Sequence, residues 1–487
     1  MFVFVLVFVS CVVYYLNYRR LRRPLYELSK RLPDVGSLPV LGHTHYFIGG
    51  AETILRNIQR LCSMVESTGE VGKIWIGPAL YVVSFNPEDV QIILETCLEK
   101  DSSYKFLKAW LGNGLFVAPV DMWKMHRRLI LPIFNNRLVE DFIEVFGQQG
   151  SVLVDRLQER VGGPEFDCFP YVTSCMLDIV FETAVGERMD VQHNPDTPYL
   201  RARNTVMSII NKRLFKAWLQ PDALFRLTSY AKVQKDGIDL THKFTDDTIK
   251  KKKELFKQNL LGNGRKDFLE HLLDRDLKFS DEQLRDEIDS ITIAGNDTTS
   301  LVLAYALMLL GRHLDAQEQV HQEVLTIFGS STRRPTKEDL NKMEYTERVL
   351  KEAMRLYAVV PVIARITQKE VKLSTCTLPA GVGCAVVPLA LHRSKRLWGQ
   401  DADSFNPDRF LPENSVGRHP YSYIPFSGGT RNCIGRHFAM LAMKSILAQI
   451  VRTFQIKSPA CDRLKIEVLL FPVDGHLVSL RRRKTTP

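Results

Sequence analysis

The first stretch of the chain, MFVFVLVFVSCVVYYL, is an apolar run of roughly 16 residues broken only by Ser10, just short of the ~17–25 of a membrane-spanning helix. Its valines make a poor helix in water, but lipid forces the backbone to satisfy its own hydrogen bonds. NYRRLRRP follows at once. The run lacks the basic start and small-residue cleavage site of a removed signal, and positive flanks stay cytosolic. The pattern predicts an uncleaved anchor over residues 1–18, a basic flank and Pro/Gly hinge over 19–44, and a cytosolic body over 45–487. Pro33, Gly36, Pro39 and Gly42 place a stiff, turning linker before the body.

In the body, VGKIWIGPALYVVSF predicts two strands around Gly77-Pro78, and Asn86-Pro87-Glu88 caps a helix with proline in its first turn. Helical periodicity dominates from about Val139 to Leu356. Strand patterns return near Ala364–Leu373 and Val382–Val387 and again near the end. The fold class expected is mainly α with a small, split β region, one large domain behind the anchor. SDEQLRDEIDSITIAGNDTTSLVLAYALMLLGRH predicts one very long helix, opened by a Ser280/Gln283 capping box and closed by Arg312 and His313. Gly295, Asn296, Asp297, Thr298 and Thr299 weaken its centre. Two readings stay open: a tolerated kink, or a local opening where Gly295 admits a flat ligand and Asp297 and Thr298 handle protons.

The formal charge of +10 gathers partly in runs, at Arg19 to Arg23, Lys250 to Lys253 and Arg481 to Lys484. Such runs are solvated surface, or face a membrane or an acidic protein. No basic groove is interleaved with aromatics, which argues against nucleic acid. Nine scattered cysteines with no CxxC argue against a disulfide framework and a zinc finger, and fit a reducing compartment.

One cysteine sits in an unusual frame. FSGGTRNCIG, from Phe426 to Gly435, surrounds Cys433 with glycines and Arg431. Gly435 then opens the helix RHFAMLAMKSILAQI, where amide donors and the helix dipole lower a thiol's pKa. Three weaker signals accompany it. KEAMR sets Glu352 and Arg355 on one helix face, by itself a commonplace surface pair. FNPDRF holds Arg409. MWKMHRRL sets Trp123 and Arg127 one turn apart, able to grip an anion or simply to pack together.

Together these motifs resemble the cytochrome P-450 haem-thiolate monooxygenases, over nearly the whole chain. F-x-x-G-x-R-x-C-x-G, met by Phe426, Gly429, Arg431, Cys433 and Gly435, resembles the haem loop. AGNDTT, from Ala294 and Gly295 to Thr299, resembles the oxygen-helix motif. The resemblance implies that Glu352, Arg355 and Arg409 form a buried ion-pair triad. It implies that Trp123, Arg127 and Arg365 contact haem propionates with Arg431, and that Cys433 is the iron ligand of haem b. Thr298 would hold dioxygen and order water, and Asp297 would help relay protons.

The chain looks most like the microsomal family 4 clan. Many of its members have a glutamate before the motif glycine that can esterify the haem. Ala294 stands there, which excludes that attachment and leaves terminal-carbon selectivity open. The resemblance further implies the endoplasmic reticulum membrane and electrons from NADPH through a cytochrome reductase, with cytochrome b5 as a further donor. It implies a lipophilic substrate such as a fatty acid, terpenoid or xenobiotic, near Lys105–Val120, Ser290–Ala294, Val359–Ile363 and Leu469–Val473. Lys124, Arg128, Arg436 and Lys444 would form the face for the electron donor. The rival readings are a haem-thiolate isomerase or dehydratase acting on peroxides, whose members tend to lack the threonine, and a non-catalytic haem-binding membrane protein.

Overall fold

The computed structural model describes residues 2–258, 265–274 and 279–483; Met1 of the expected anchor and Lys484 of the terminal basic run lie outside them. The protein is mainly helical with short strands. The helices used below are α1 (Phe2–Leu21), α2 (Pro87–Thr96), α3 (Val120–Ile130), α4 (Phe169–Ala184), α5 (Pro198–Phe215), α6 (Ser229–Lys257), α7 (Asp281–Arg312), α8 (Glu344–Leu356) and α9 (Arg436–Thr453).

Contacts divide the chain into two compact units. The first comprises Met1–Asp101, Val362–Leu391 and His419–Asn432; the second comprises Ser102–Pro361, His392–Arg418 and Cys433–Pro487.

In the first unit, α1 is long and apolar enough to cross a membrane, and none of its Phe4–Leu21 window is buried. The basic flank departs from the expected linker. Pro24 falls in a first turn, where its missing N–H costs nothing, so Arg23–Arg31 forms a short helix that buries Leu25 and Leu28. The turning segment follows. Gly42 adopts φ +58° there, and a Cβ on it would lie 2.5 Å from that of Trp75, so only glycine fits.

The unit's main sheet has β1 (Val71–Ile76), β2 (Ala79–Ser84), β3 (Ile363–Ile366) and β4 (Gly383–Val386), in the order β1-β2-β4-β3. Strands β1 and β2 flank Gly77-Pro78 as predicted and pair antiparallel; β2 and β4 pair parallel; β3 and β4 pair antiparallel, with Arg365 opposite Cys384. Asn86 caps α2 with its side chain.

The second unit is built around α7. Its capping box forms as predicted: the Gln283 amide donates to Ser280 Oγ at 3.1 Å and the Ser280 amide to Gln283 Oε1 at 2.9 Å. By length and composition α7 too would cross a membrane, but 83% of it is buried, which makes it a core helix. Helices α4, α6 and α8 pack along it. A separate sheet pairs Leu477–Arg482 antiparallel with Phe454–Lys457 and Phe166–Asp167. The polar centre of α7 does not break it. The helix runs on through Gly295–Thr299, and Thr298 Oγ1 donates back to the Ala294 carbonyl at 2.7 Å.

Candidate haem-thiolate site

In the second unit, Cys433 lies just before α9, whose N-cap is Gly435. The thiol is solvent-accessible yet ringed by protein atoms. That burial pushes its pKa up, while the Gly435 amide, Arg127 and Arg436 pull the other way without prevailing. The lowering expected from the helix terminus is therefore not the net effect. A cation bonded to the sulfur would supply what the protein alone does not. Gly435 has an ordinary φ of −86°, so backbone freedom is not its purpose.

On α3, Trp123 is buried and the Arg127 guanidinium sits 5.8 Å over its ring centroid. On α7, Ala294 is exposed and Gly295 and Thr298 are partly so, although the helix is otherwise largely buried. This open face is the wall a flat ligand needs. Gly295 also serves the packing, since a Cβ there would come 3.3 Å from Val180 of α4.

Asp297 is held by groups the sequence did not reveal. Its Oδ1 accepts from Arg203 of α5, which is buried, and from Asn296 Nδ2 at 3.2 Å. No motif flags Arg203; its role emerges only when α5 packs beside α7.

Glu352 and Arg355 are wholly buried, as the resemblance implied and unlike the surface pair that KEAMR alone suggests. Two hydrogen bonds of 2.7 Å join them. Arg355 also donates to the carbonyls of His392 (2.9 Å), Ala402 (2.6 Å) and Ser404 (3.0 Å). Arg409 Nε lies 3.5 Å from Glu352 Oε1, and the Asn406 amide donates to the same oxygen at 2.8 Å. The triad thus pins the segment from His392 to Arg409 to α8.

In the first unit, Arg431 is buried and donates to the Leu98 carbonyl at 2.6 Å. Phe426 is half-buried. Gly429 adopts φ +64°, its amide donates to Tyr421 Oη at 3.1 Å, and a Cβ on it would lie 2.4 Å from the Leu94 carbonyl oxygen. Arg365 is buried on β3, and its Nε has no hydrogen-bond partner among the described residues. Sequence reasoning missed Lys100. It bridges to Arg365 through the backbone, and burial, then Arg365 and Arg431, push its ammonium pKa well below the ordinary value. Lys100, Arg365 and Arg431 thus lie near enough to oppose one another's charge, and an anion among them would favour the charged forms.

A family model described as Cytochrome P450 matches residues 33–476. The chain belongs to the cytochrome P450 family. Cytochrome P450 4c3 of Drosophila melanogaster is 34% identical, over 97% of this chain and 93% of its own length. Human Cytochrome P450 4V2 is 36% identical, over 84% and 82%. The crystal structure of the cytochrome P450DA heme domain matches with a TM-score of 0.82 at 24% identity, covering 93% of this chain and 98% of its own, which shows the shared fold.

The protein is therefore a P450 monooxygenase related to family 4, and P450 chemistry uses haem b with a cysteine thiolate on the iron. The residues present fit that group. The second unit by itself offers an accessible thiol, an open α7 face and the Trp123–Arg127 pair for a carboxylate. The proposed electron-donor face changes in one respect. Lys124, Arg128 and Arg436 are exposed, but Lys444 turns inward to the Leu340 carbonyl at 3.1 Å and to Glu347 at 2.6 Å.

Proposed function

We propose that this P450 is anchored in the endoplasmic reticulum membrane by residues 1–18 and oxidises a lipophilic substrate on the cytosolic side. Residues 45–487 would form the catalytic body, with electrons coming from NADPH through a cytochrome reductase and, as a further donor, cytochrome b5. The accessible Cys433 thiol beside the Gly435 amide, Arg127 and Arg436 carries this reading.

Cys433 is the residue we assign as iron ligand, and the bound haem supplies activation of O₂ for insertion of one oxygen atom into a C–H bond. Trp123 and Arg127 would bind a propionate by hydrogen bonds, and Arg365, Arg431 and Lys100 are assigned the same kind of role from the motif and their charge alone. Thr298 holds its hydroxyl proton on the Ala294 carbonyl and can turn it toward a polar ligand on the open face. The Arg203 guanidinium fixes the Asp297 side chain on α7, where it would help relay protons. Ala294, in place of a longer side chain, keeps this face shallow and unreactive. The substrate would be a fatty acid, a terpenoid or hormone, or a xenobiotic. The exposed Lys124, Arg128 and Arg436 suit an acidic electron donor.

The test is Cys433→Ser in the full chain. The reduced, carbon-monoxide-bound protein should lose its red-displaced Soret band. A variant that keeps that band, or a wild type that binds no haem, overturns the assignment. A panel of fatty acids, terpenoids, steroids and insecticides, read by the iron spin-state shift, then narrows the substrate class.

A further inference from the structure

Residues 110–118 of the second unit form a strap laid on α7, and the haem assignment does not use the groups that hold it. Turns within the strap occupy the amides of Gly114, Val117 and Ala118. The amides of Asn113 and Leu115 go to α7 instead. The first donates to Asp286 Oδ2 at 2.7 Å and the second to Glu287 Oε2 at 3.1 Å. Two glycines let the strap lie this close. A Cβ on Gly112 would run into the Asp286 carboxylate, and one on Gly114 into Ser290 Oγ and the Asp286 carbonyl. Helix α6 takes Trp110: the indole N–H donates to Thr241 Oγ1 at 3.0 Å, and His242 Nε2 donates to the Trp110 carbonyl at 2.7 Å.

Glu287 holds more than the strap. Its side chain is fully buried, and its other oxygen, Oε1, accepts from His126 Nδ1 of α3 at 2.5 Å. His126 is fully buried too and meets Phe279 edge to face, with ring centroids 5.1 Å apart. The next residue on α3 is Arg127. Glu287 itself stands two helical turns before Ala294, on the same face of α7. Trp110, Leu111 and Val117 of the strap share an apolar cluster with Ile293, the neighbour of Ala294.

We propose that Glu287 is a positioning residue that sets the width of the ligand space: one carboxylate fastens the strap and α3 to α7, and so fixes the wall beside Ala294.

A buried carboxylate suits this work because its two oxygens serve two elements at once, through hydrogen bonds stronger than neutral ones. Without it, the Leu115 amide and His126 Nδ1 lose their acceptor, and loosening the strap relieves that cost. A looser strap widens the space beside Ala294. A slim ligand then loses close contacts on one side, while a broad one gains room. The proposal rests on the haem reading only in taking Ala294 as a wall of the ligand space; the clasp itself is independent of it.

The experiment has two arms. In the first, hydrogen exchange of the wild-type full-length holoprotein is followed by mass. The peptide spanning residues 112–118 should exchange as slowly as the buried part of α7, and exchange as fast as an exposed loop overturns the clasp. In the second, dodecylimidazole and clotrimazole, a slim and a broad azole, are titrated and read by the Soret shift. Glu287→Leu should bind the slim azole about tenfold more weakly, and the broad one as well as before or better. Glu287→Gln keeps an acceptor for the Leu115 amide and a partner for His126, and should stay close to wild type. Gly114→Ala, which pushes the strap off α7 without touching Glu287, should move the ratio of the two affinities in the same direction as Glu287→Leu. The carbon-monoxide Soret band checks that each variant has folded around haem; if Glu287→Leu has not, Gly114→Ala and the exchange arm still decide. A ratio unmoved in the folded variants, or both azoles weakened by the same factor, overturns the proposal, because the carboxylate is then only a structural tie. So does a Glu287→Gln variant that behaves as Glu287→Leu does. A wild type without haem would overturn the functional reading and the claim about width with it, and the exchange arm would still decide the clasp.

Discussion

Two buried groups of charge are handled in opposite ways. In the second unit, Glu352, Arg355 and Arg409 close on one another and on backbone carbonyls, so their charges are answered within the protein. In the first unit, Lys100, Arg365 and Arg431 are brought together with the same sign. A satisfied cluster pins structure. Like-charged neighbours oppose one another's charge, and an anion placed among them relieves that opposition.

The largest effect tests the satisfied cluster. Glu352→Gln leaves the guanidinium of Arg355 buried beside a neutral partner and weakens the hold on Arg409. Breaking a buried pair on one side costs about 3–5 kcal/mol, a large part of typical domain stability. Thermal unfolding should show a large fall in the midpoint, or the variant should not accumulate as folded protein. A midpoint within a degree or two of wild type would mean that the triad does not hold the His392–Arg409 segment.

The like-charged cluster should answer the other way. Lys100→Met removes a cation that burial and two arginines oppose, so the haem-free protein should unfold at equal or higher temperature. Haem affinity should nevertheless fall by about tenfold to a hundredfold, the equivalent of one lost charge-assisted hydrogen bond at ~1.5–3 kcal/mol. The pH dependence has a defined sign. The folded-state pKa of Lys100 lies below its unfolded value, so the unfolded chain binds more protons between the two. Stability of the haem-free protein therefore rises with pH through that window, and Lys100→Met should flatten the rise. A variant that loses stability and keeps haem would reverse the assignment.

The same contrast explains what could be read from the chain in advance. Long-range order was legible where local chemistry dictates it: the apolar α1, the Ser280 capping box, the hairpin at Gly77-Pro78, and the spacing around Cys433. Charges are hard to read where only packing decides, and the buried triad was implied by the family resemblance rather than by its local residues. KEAMR reads as a surface pair because nothing in five residues says that Arg355 will meet three carbonyls from 392–404. Lys100 and Arg203 carry no signal, since their partners come from β3 and from α7, distant in sequence. The net upward push on Cys433 was missed for the same reason, because burial is a property of the assembled fold.

The smallest effect separates two glycines of one motif. Gly429→Ala must adopt φ +64° and bring its Cβ 2.4 Å from the Leu94 carbonyl oxygen, and Tyr421 and α2 leave little room to give way. Strain of that kind costs on the order of 1–3 kcal/mol before the clash is counted. Gly435→Ala faces neither problem. Its φ is ordinary and its Cβ would meet Cys433 Sγ at 3.9 Å, an ordinary contact, so stability should change by less than about 1 kcal/mol. What the substitution would change is the surroundings of the sulfur, since a methyl group would then lie in contact with it, on a residue whose amide also serves it. We expect denaturant unfolding to separate the two variants clearly. The carbon-monoxide Soret band of Gly435→Ala should shift by a few nanometres while the protein stays folded. An unshifted band would mean that this glycine is as replaceable for the ligand as it is for the fold.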